Sequence, residues 1–134
     1  LKRKEGSAGP SAPVSYGNQE RDQISDAIIG AIYPCKLDNS HPMAFGYNFY
    51  YTLRQGASVY ELEGKPVFEL EKNAQAVNGF VGARVKKQQS EADIAGTVQY
   101  GRGTIVYLID NPLFRGFWES GKLMVVNSIY FVNQ

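Results

Sequence analysis

The sequence predicts an α+β domain in which strands come first and the longest helix comes last. Two β-branched runs, residues 94–100 and 104–109, lie on either side of Gly101-Arg102-Gly103, a pattern typical of a hairpin at 94–109. Asp110-Asn111-Pro112 follows, and Asp or Asn suits a helix N-cap as Pro suits the first helical position. Strands that precede a helix, without alternation, favour an α+β domain with a mixed sheet over a repeating βαβ domain.

The composition narrows the function classes. The 134 residues suffice for one hydrophobic core, and 43% hydrophobic with 20% charged residues is typical of a globular chain. The net charge of +1 gives no reason to expect nucleic acid as a partner, and no run of about 18 apolar residues predicts a membrane span. A single cysteine and a single histidine argue against an internal disulfide, a cysteine-rich zinc site and a two-histidine metal centre. We therefore expect no metal or cofactor in this chain.

The N-terminal part divides into a linker and the start of the domain. Residues 1–18 are basic and then rich in Gly, Ser, Ala and Pro, which predicts a linker or disordered segment before a single domain at 19–134. Because the chain starts with Leu rather than Met, we expect a piece of a longer protein. Residues 19–27 predict a short helix, and 30–37 a strand. Pro34 cannot donate to a ladder, so that strand is expected to lie at an edge or to be irregular there.

The middle and the end of the chain add shorter elements. Residues 57–62 and 66–70 predict two strands joined as a hairpin through Glu63-Gly64-Lys65. Residues 74–81 form a short apolar run, and 84–91 are polar enough for one or two helical turns. The terminal helix is expected to start at Pro112 and to break near Gly121, with one apolar face formed by Leu113, Phe114, Phe117, Trp118, Val125, Ile129 and Val132.

Cys35 and His41 are the only residues of their types, and neither predicts a catalyst. Cys35 lies within a predicted strand rather than at a strand-to-helix elbow, so it is interpreted as a small buried hydrophobe. His41 lies in the turn 38–42, where Pro42 keeps it out of the helical region; it is either a hydrogen-bonded turn residue or a ligand contact. Gly101-Arg-Gly-Thr lacks the Lys-Ser/Thr ending of a phosphate loop.

The best candidate site is the polar group after the last predicted strand: Asp110, Asn111 and Arg115. Ligands bind beyond the C-terminal ends of strands in open sheets, where helices begin, so these residues are a candidate contact for an anion or a partner. In the alternative interpretation, Asp110 caps the helix and Arg115 pairs with Glu119.

An aromatic cluster at residues 45–51 is the second candidate. Tyr47 and Tyr50 within it are either a stacking surface for a sugar or a partner, or part of the core packing.

Three stretches together resemble one family. They are Ser25-Asp-Ala-Ile-Ile-Gly-Ala-Ile-Tyr33 continuing through Leu37-Asp-Asn-Ser-His-Pro-Met-Ala-Phe-Gly-Tyr47, then Ala76-Val-Asn-Gly-Phe80, and Gly101-Arg-Gly-Thr-Ile-Val-Tyr-Leu-Ile-Asp-Asn-Pro-Leu-Phe-Arg-Gly-Phe-Trp118. They are similar to the C-terminal region of the large M14-type zinc carboxypeptidase proteins of Bacteroidetes-like bacteria. That region is related to class I glutamine amidotransferase-like α/β domains, and the similarity covers roughly residues 19–132.

The resemblance implies a non-catalytic accessory domain that supports an upstream zinc peptidase domain, or contacts a peptide, a glycan or a protein partner. It implies zinc in that upstream domain only and an extracytoplasmic location. Amidotransferase-like domains carry a catalytic histidine at a late-strand turn, where this chain has Asp110-Asn111-Pro112. Two alternatives stay open: a degenerate amidotransferase-like or hydrolase domain completed by upstream sequence, and a carbohydrate-binding module. Sheet edges left exposed in a partial domain predict a dimer through strand pairing.

Overall fold

The computed structural model describes residues 2–3 and 15–133, and these form eight strands and two α-helices. In chain order the elements are β1 (Lys2–Arg3), α1 (Tyr16–Ser25), β2 (Ile28–Leu37), β3 (Tyr50–Arg54), β4 (Tyr60–Glu61), β5 (Lys65–Leu70), β6 (Asn78–Val81), β7 (Asp93–Tyr100), β8 (Gly103–Leu108) and α2 (Glu119–Tyr130). Two short 3₁₀ turns, Pro42–Ala44 and Phe114–Gly116, precede β3 and α2 respectively.

The main sheet has the strand order β3-β2-β5-β7-β8, and β6 also pairs with β2. The sheet curls, and each pairing described is antiparallel. Strands β1 and β4 form a separate two-stranded sheet. The predicted α+β fold is confirmed, with an antiparallel rather than a mixed main sheet. No helix in residues 2–3 and 15–133 is long and apolar enough to cross a membrane.

One hydrophobic core fills the inside of the curled sheet and is closed by α2. Tyr33, Phe68 and Met124 are each at most 1% exposed. Burying a large apolar side chain of this kind contributes about 1.5–3 kcal/mol. Asn127 on α2 is also buried, and its Nδ2 donates to the carbonyls of Met43 (3.1 Å) and Phe45 (2.7 Å). This amide fixes α2 to the Pro42–Ala44 turn.

Strand β2 lies inside the sheet, so the prediction that Pro34 marks an edge strand is wrong. Pro34 is opposite Tyr51 of β3, and the carbonyl of Tyr51 accepts a hydrogen bond from Trp118 rather than from β2. Pro34 and Tyr51 are therefore a non-hydrogen-bonded pair, in which the backbone groups of the two residues point away from each other. The nitrogen of Pro34 therefore faces the gap between the β6 pairing, which ends at Ile32, and the β5 pairing, which begins at Cys35. The alternative expectation, local irregularity, describes this arrangement.

The hairpin predicted at 94–109 is confirmed, because β7 and β8 pair without interruption from Ala95↔Leu108 to Tyr100↔Gly103. The second predicted hairpin, between 57–62 and 66–70, is wrong. Strand β4 pairs with β1, while β5 pairs with β2 and β7. Gly64 lies against β7 so closely that a Cβ there would be 2.1 Å from the carbonyl oxygen of Thr97. This contact directs the chain along β7 instead of back along β4.

The prediction that the terminal helix starts at Pro112 and breaks at Gly121 is also wrong. Helix α2 begins at Glu119 with Trp118 at its N-cap, and Gly121 lies within its first turn. A Cβ at Gly121 would be 1.9 Å from the carbonyl oxygen of Pro112, so this glycine allows the preceding segment to pack on the helix. Arg115 has φ 49°, which interrupts any helix through that segment.

The N-terminal helix forms slightly earlier than predicted and is held by its charges. Helix α1 starts at Tyr16 and has no buried residue. Arg84 pairs with Asp22 and Asp26, which connects the helix to the turns that follow β6. The linker predicted at 1–18 lies outside the described residues except for positions 2–3 and 15–18. Residues 83–91 form consecutive turns rather than a regular helix.

Candidate functional site

The inner face of β2 and β3 carries polar side chains beside apolar ones. The pairs Tyr33↔Thr52 and Cys35↔Tyr50 alternate along the ladder with outward-facing pairs, and Arg54 follows on the same face. Thr52 and Arg54 are 1% and 2% exposed. Alternation along the strand places Tyr50, Thr52 and Arg54 toward the core because side chains two residues apart share a face. A buried guanidinium requires a partner on this face.

Asp110, which follows the terminal strand at the other end of the sheet, is one partner of Arg54. It lies two residues beyond β8, and its Oδ2 accepts a hydrogen bond of 2.7 Å from Thr52 Oγ1. The same oxygen is 3.7 Å from Arg54 Nη1, which is an ion pair without a hydrogen bond. Burial raises the pKa of Asp110 above its usual range, against the lowering effects of Arg54 and Thr52. The carboxylate therefore connects the two terminal strands of the sheet, β3 and β8.

Arg54 is only partly satisfied by these contacts. Its Nη2 donates to the carbonyl of Ser58 at 2.6 Å, and to that of Gly56 at 3.5 Å. Its Nε and Nη1 are buried and have no hydrogen-bond partner among the described residues. The hydroxyl of Tyr33, on the same inner face, is also buried without a hydrogen-bond partner among the described residues. Burial raises the pKa of Tyr33, and the charge of Arg54 lowers it. Unpartnered buried donors are rare in folded proteins, so these nitrogens are the groups most able to take a further acceptor.

Arg54 is also one of the residues that line a polar cleft of about 330 Å³. We call it the Arg54 cleft; its polar lining comes from Arg54, Gln55, Ser58, Tyr60, Asp110 and Asn111. The volume is at the lower end of the range for small-molecule sites. The cleft lies where β3 ends and where the chain leaves β8. Its geometry suits a small ligand with hydrogen-bond acceptors.

The predicted site residues Asp110, Asn111 and Arg115 separate in the structure. Asp110 and Asn111 line the Arg54 cleft, and Asn111 Oδ1 also accepts from the backbone N–H of Leu113 at 3.0 Å. Asp110 does not cap α2. Arg115 is exposed, and its guanidinium carbon is 5.2 Å from the centre of the Phe114 ring. The expected pair between Arg115 and Glu119 is not formed, because Glu119 accepts from Lys122 at 2.6 Å.

His41 lies in the predicted turn with both ring nitrogens in use. Its Nδ1 accepts from the backbone N–H of Met43 at 3.1 Å, and Nε2 is 3.3 Å from Thr97 Oγ1. Since Nδ1 is an acceptor, the neutral ring carries its proton on Nε2 and donates it to Thr97. Burial lowers the pKa of His41, although Asp38 opposes this effect. The ring borders a separate hollow of about 430 Å³ with Phe45 and Phe131.

Tyr47 and Tyr50 belong to the core rather than to a ligand surface. They are 8% and 3% exposed, and both rings pack edge-on against Phe68. The Tyr47 hydroxyl donates to the carbonyl of Ser120, and burial raises the pKa of Tyr47 to about 12. The exposed rings of the cluster are instead Phe45, Phe49 and Tyr51. A carbohydrate surface would therefore need residues other than those the sequence indicated.

Cys35 is half-buried near the same polar row. Burial raises its pKa to about 12, and the charge of Asp110 acts in the same direction. The thiol therefore stays protonated at neutral pH and is a poor nucleophile. Among residues 2–3 and 15–133, no group of three His, Cys, Asp or Glu side chains is arranged to hold a metal ion.

Arg54 and Thr52 were missed by the sequence reasoning. The signal lay in Tyr50-Tyr51-Thr52-Leu53-Arg54, where the period of two continues the face of Tyr50 through Thr52 to Arg54. A scan against family models, a search of curated proteins and a search of solved structures found no match to this chain. The relationship to the zinc carboxypeptidase proteins stays a prediction.

Proposed function

We propose that this chain is a non-catalytic binding domain that takes a small carboxylate in the Arg54 cleft. The observation that carries the proposal is the buried Arg54, whose Nε and Nη1 have no hydrogen-bond partner among the described residues. A buried donor without an acceptor costs about 1–3 kcal/mol, and more if it is charged. A ligand oxygen that reaches these nitrogens recovers that cost.

The guanidinium favours a carboxylate over a neutral acceptor. Arginine binds planar anionic groups through several parallel N–H donors, and such charge-assisted bonds are about twice as strong as neutral ones. The neighbouring Asp110 leaves Nη1 without a hydrogen bond, since the separation is 3.7 Å. Asn111 and Gln55 at the rim supply amides for the rest of the ligand.

Asp110 makes the proposed binding dependent on pH. Its pKa is already raised by burial, and a second carboxylate nearby raises it further because like charges disfavour ionisation. The ligand is therefore bound best when Asp110 is protonated. Affinity is expected to fall as pH rises through the pKa of Asp110 in the complex.

The state of Cys35 and His41 supports binding rather than catalysis. A nucleophilic mechanism needs an ionisable nucleophile and a base that is free to take its proton. Burial keeps the Cys35 thiol protonated, and the two nitrogens of His41 contact Met43 and Thr97. The amidotransferase-like or hydrolase alternative would need groups supplied from outside this chain.

The family resemblance suggests a setting for this binding domain. In that proposal the chain is an accessory domain of an extracytoplasmic zinc carboxypeptidase-related protein, next to a peptidase domain that holds the zinc. A peptide with a free terminal carboxylate has the chemistry that the Arg54 cleft would take. The domain would then contribute structural support or substrate contact rather than bond cleavage.

A matched pair of probes tests the proposal: N-acetylglycine and N-acetylglycinamide, which differ in the carboxylate alone. We expect saturable NMR shift changes with N-acetylglycine at the Arg54 Nε–H and at backbone amides around residues 55–60 and 109–111. The amide probe should give much smaller changes. The exposed variants Asn111→Ala and Gln55→Ala should weaken binding without loss of fold.

Arg54→Met supplies the complementary test, since it keeps much of the side-chain volume and removes each donor. Binding should be lost while thermal unfolding stays cooperative. The proposal fails if the two probes bind equally, or if neither affects the Arg54 cleft. Peptidase turnover by the isolated chain that a chelator abolishes would overturn the non-catalytic assignment.

A further inference from the structure

We propose that the outer edge of β8 pairs with β8 of a second copy of this chain, which gives a two-fold antiparallel dimer. This inference is independent of the ligand in the Arg54 cleft. It starts from the backbone groups of β8 that face away from β7.

The register of the hairpin identifies those groups. Tyr100↔Gly103 closes a two-residue turn, and at the other end Ile109 N donates to the carbonyl of Ile94 at 2.9 Å. Hydrogen-bonded rungs alternate with non-bonded ones in an antiparallel pair. The backbone N–H and C=O groups of Thr104, Val106 and Leu108 therefore point outward. They have no hydrogen-bond partner in the part of the chain that the structure describes.

This edge lacks the features that keep edge strands from pairing. Natural edges are usually interrupted by a charge, a proline or a bulge. Residues 103–109 contain neither a charged residue nor a proline, and the register with β7 has no bulge over its six pairs. Ile105 is 40% exposed and Leu108 38% exposed. An edge this open indicates a partner strand.

A second copy of β8 fits the edge because the strand is self-complementary. Antiparallel pairing about Val106 sets Thr104 of each copy opposite Leu108 of the other, and brings together the outward groups on both sides. No like charges come to face each other within the strand, which would otherwise destabilise the pair. The pairing also places the Arg102 residues of the two copies at opposite ends of the paired strands, so their like charges stay apart.

The other end of the sheet limits the assembly to two chains. On β3, Trp118 Nε1 donates to the carbonyl of Tyr51 at 3.2 Å, and that carbonyl faces away from β2. The indole therefore obstructs a head-to-tail pairing of β3 with β8. A contact that uses the same edge on both copies closes after one partner, whereas a head-to-tail contact propagates.

Sedimentation velocity over a dilution series tests the dimer, together with the Thr104→Pro variant. We expect the wild-type chain to sediment at twice the single-chain mass at high concentration and to dissociate on dilution. Thr104→Pro removes an outward N–H and keeps the bonds to β7, so its mass should fall to that of one chain. Thr104→Val keeps the backbone donor and is the matched control that should still dimerise.

Amide exchange on the wild-type chain gives a second measurement that does not depend on the folding of the proline variant. Exchange at Thr104, Val106 and Leu108 should slow as concentration rises, while that of Ile105 should stay slow throughout. The proposal is overturned if the wild-type chain stays a monomer at all concentrations. It is also overturned if the outward amides are protected equally in the monomer, or if a folded Thr104→Pro variant dimerises like the wild type.

Discussion

The two terminal strands of the main sheet differ in how their free edges are treated. Strand β3 is covered at its outer edge by Trp118, whose indole N–H donates to the carbonyl of Tyr51. Strand β8 ends the same sheet with Thr104, Val106 and Leu108 directed outward and uncovered by described residues. One edge is protected within the chain, and the other is available to a partner.

The difference has its origin in the segment between β8 and α2. After β8 the chain crosses to β3, so the residues that leave one edge are the ones that cover the other. Pro112 packs on Gly121 and fixes that crossing at the start of α2. The same crossing brings Asp110 to Arg54 and forms the Arg54 cleft. The same crossing segment therefore protects β3 and forms part of the candidate site.

Asp110→Ala should have the largest effect on this arrangement. It removes the carboxylate that faces the buried Arg54 and accepts from Thr52. Removing one partner of a buried ion pair leaves an uncompensated charge, and typically costs about 3–5 kcal/mol. We expect the free energy of unfolding, measured with urea, to fall by about 3 kcal/mol.

Glu119→Ala is the matched control for that loss. Glu119 pairs with Lys122 at the surface, where ion pairs contribute about 0–1 kcal/mol. Its unfolding free energy should stay close to that of the wild type. Equal losses in the two variants would show that Asp110 does not stabilise the closed end of the sheet.

Trp118→Phe should have an intermediate effect, because it removes the indole N–H and keeps an aromatic ring. The lost bond to the Tyr51 carbonyl typically costs about 1 kcal/mol. With that carbonyl freed, species larger than two chains should appear in sedimentation. Phe117→Leu, at a neighbouring residue that is 59% exposed, should change neither property. Wild-type stability and assembly in Trp118→Phe would contradict the protective role.

The sequence predicted the elements whose signals are local. The β7–β8 hairpin follows from two β-branched runs around Gly101-Arg102, and the extended conformation of His41 follows from Pro42. These features depend on neighbouring residues alone. The start of α2 was predicted wrongly, since good capping residues at Asp110 and Asn111 are overridden by the contact between Pro112 and Gly121.

The sequence predicted Asp110 and Asn111 as residues of the candidate site, but not Arg54. Asp110 and Asn111 are close in sequence to a strong strand signal, whereas Arg54 joins them only because the sheet curls and brings β3 toward the end of β8. No local pattern specifies that closure. Arg115 was the obvious basic residue by sequence distance, yet its positive φ directs it to the surface beside Phe114.

The pH dependence of stability should give the smallest and most specific difference between variants. Burial raises the pKa of Asp110, so the folded state binds its proton more tightly than the unfolded state does. The contribution of Asp110 is then fully present below its unfolded pKa of about 3.9, and is lost as pH rises through the folded value. Thermal melts of the wild type relative to Asp110→Asn should therefore show a stability difference that declines as pH rises above about 4.

Asp38 provides a control of opposite sign for these melts. The hydroxyl and the backbone N–H of Ser40 lower its pKa, so its contribution is present above its unfolded pKa and is lost as pH falls through the folded value. The difference between the wild type and Asp38→Asn should thus increase as pH rises. A difference for Asp110→Asn that does not change with pH would mean that Asp110 is solvated like a surface carboxylate. A slope parallel to that of Asp38→Asn would mean that the lowering effects of Arg54 and Thr52 on the pKa of Asp110 outweigh the effect of burial.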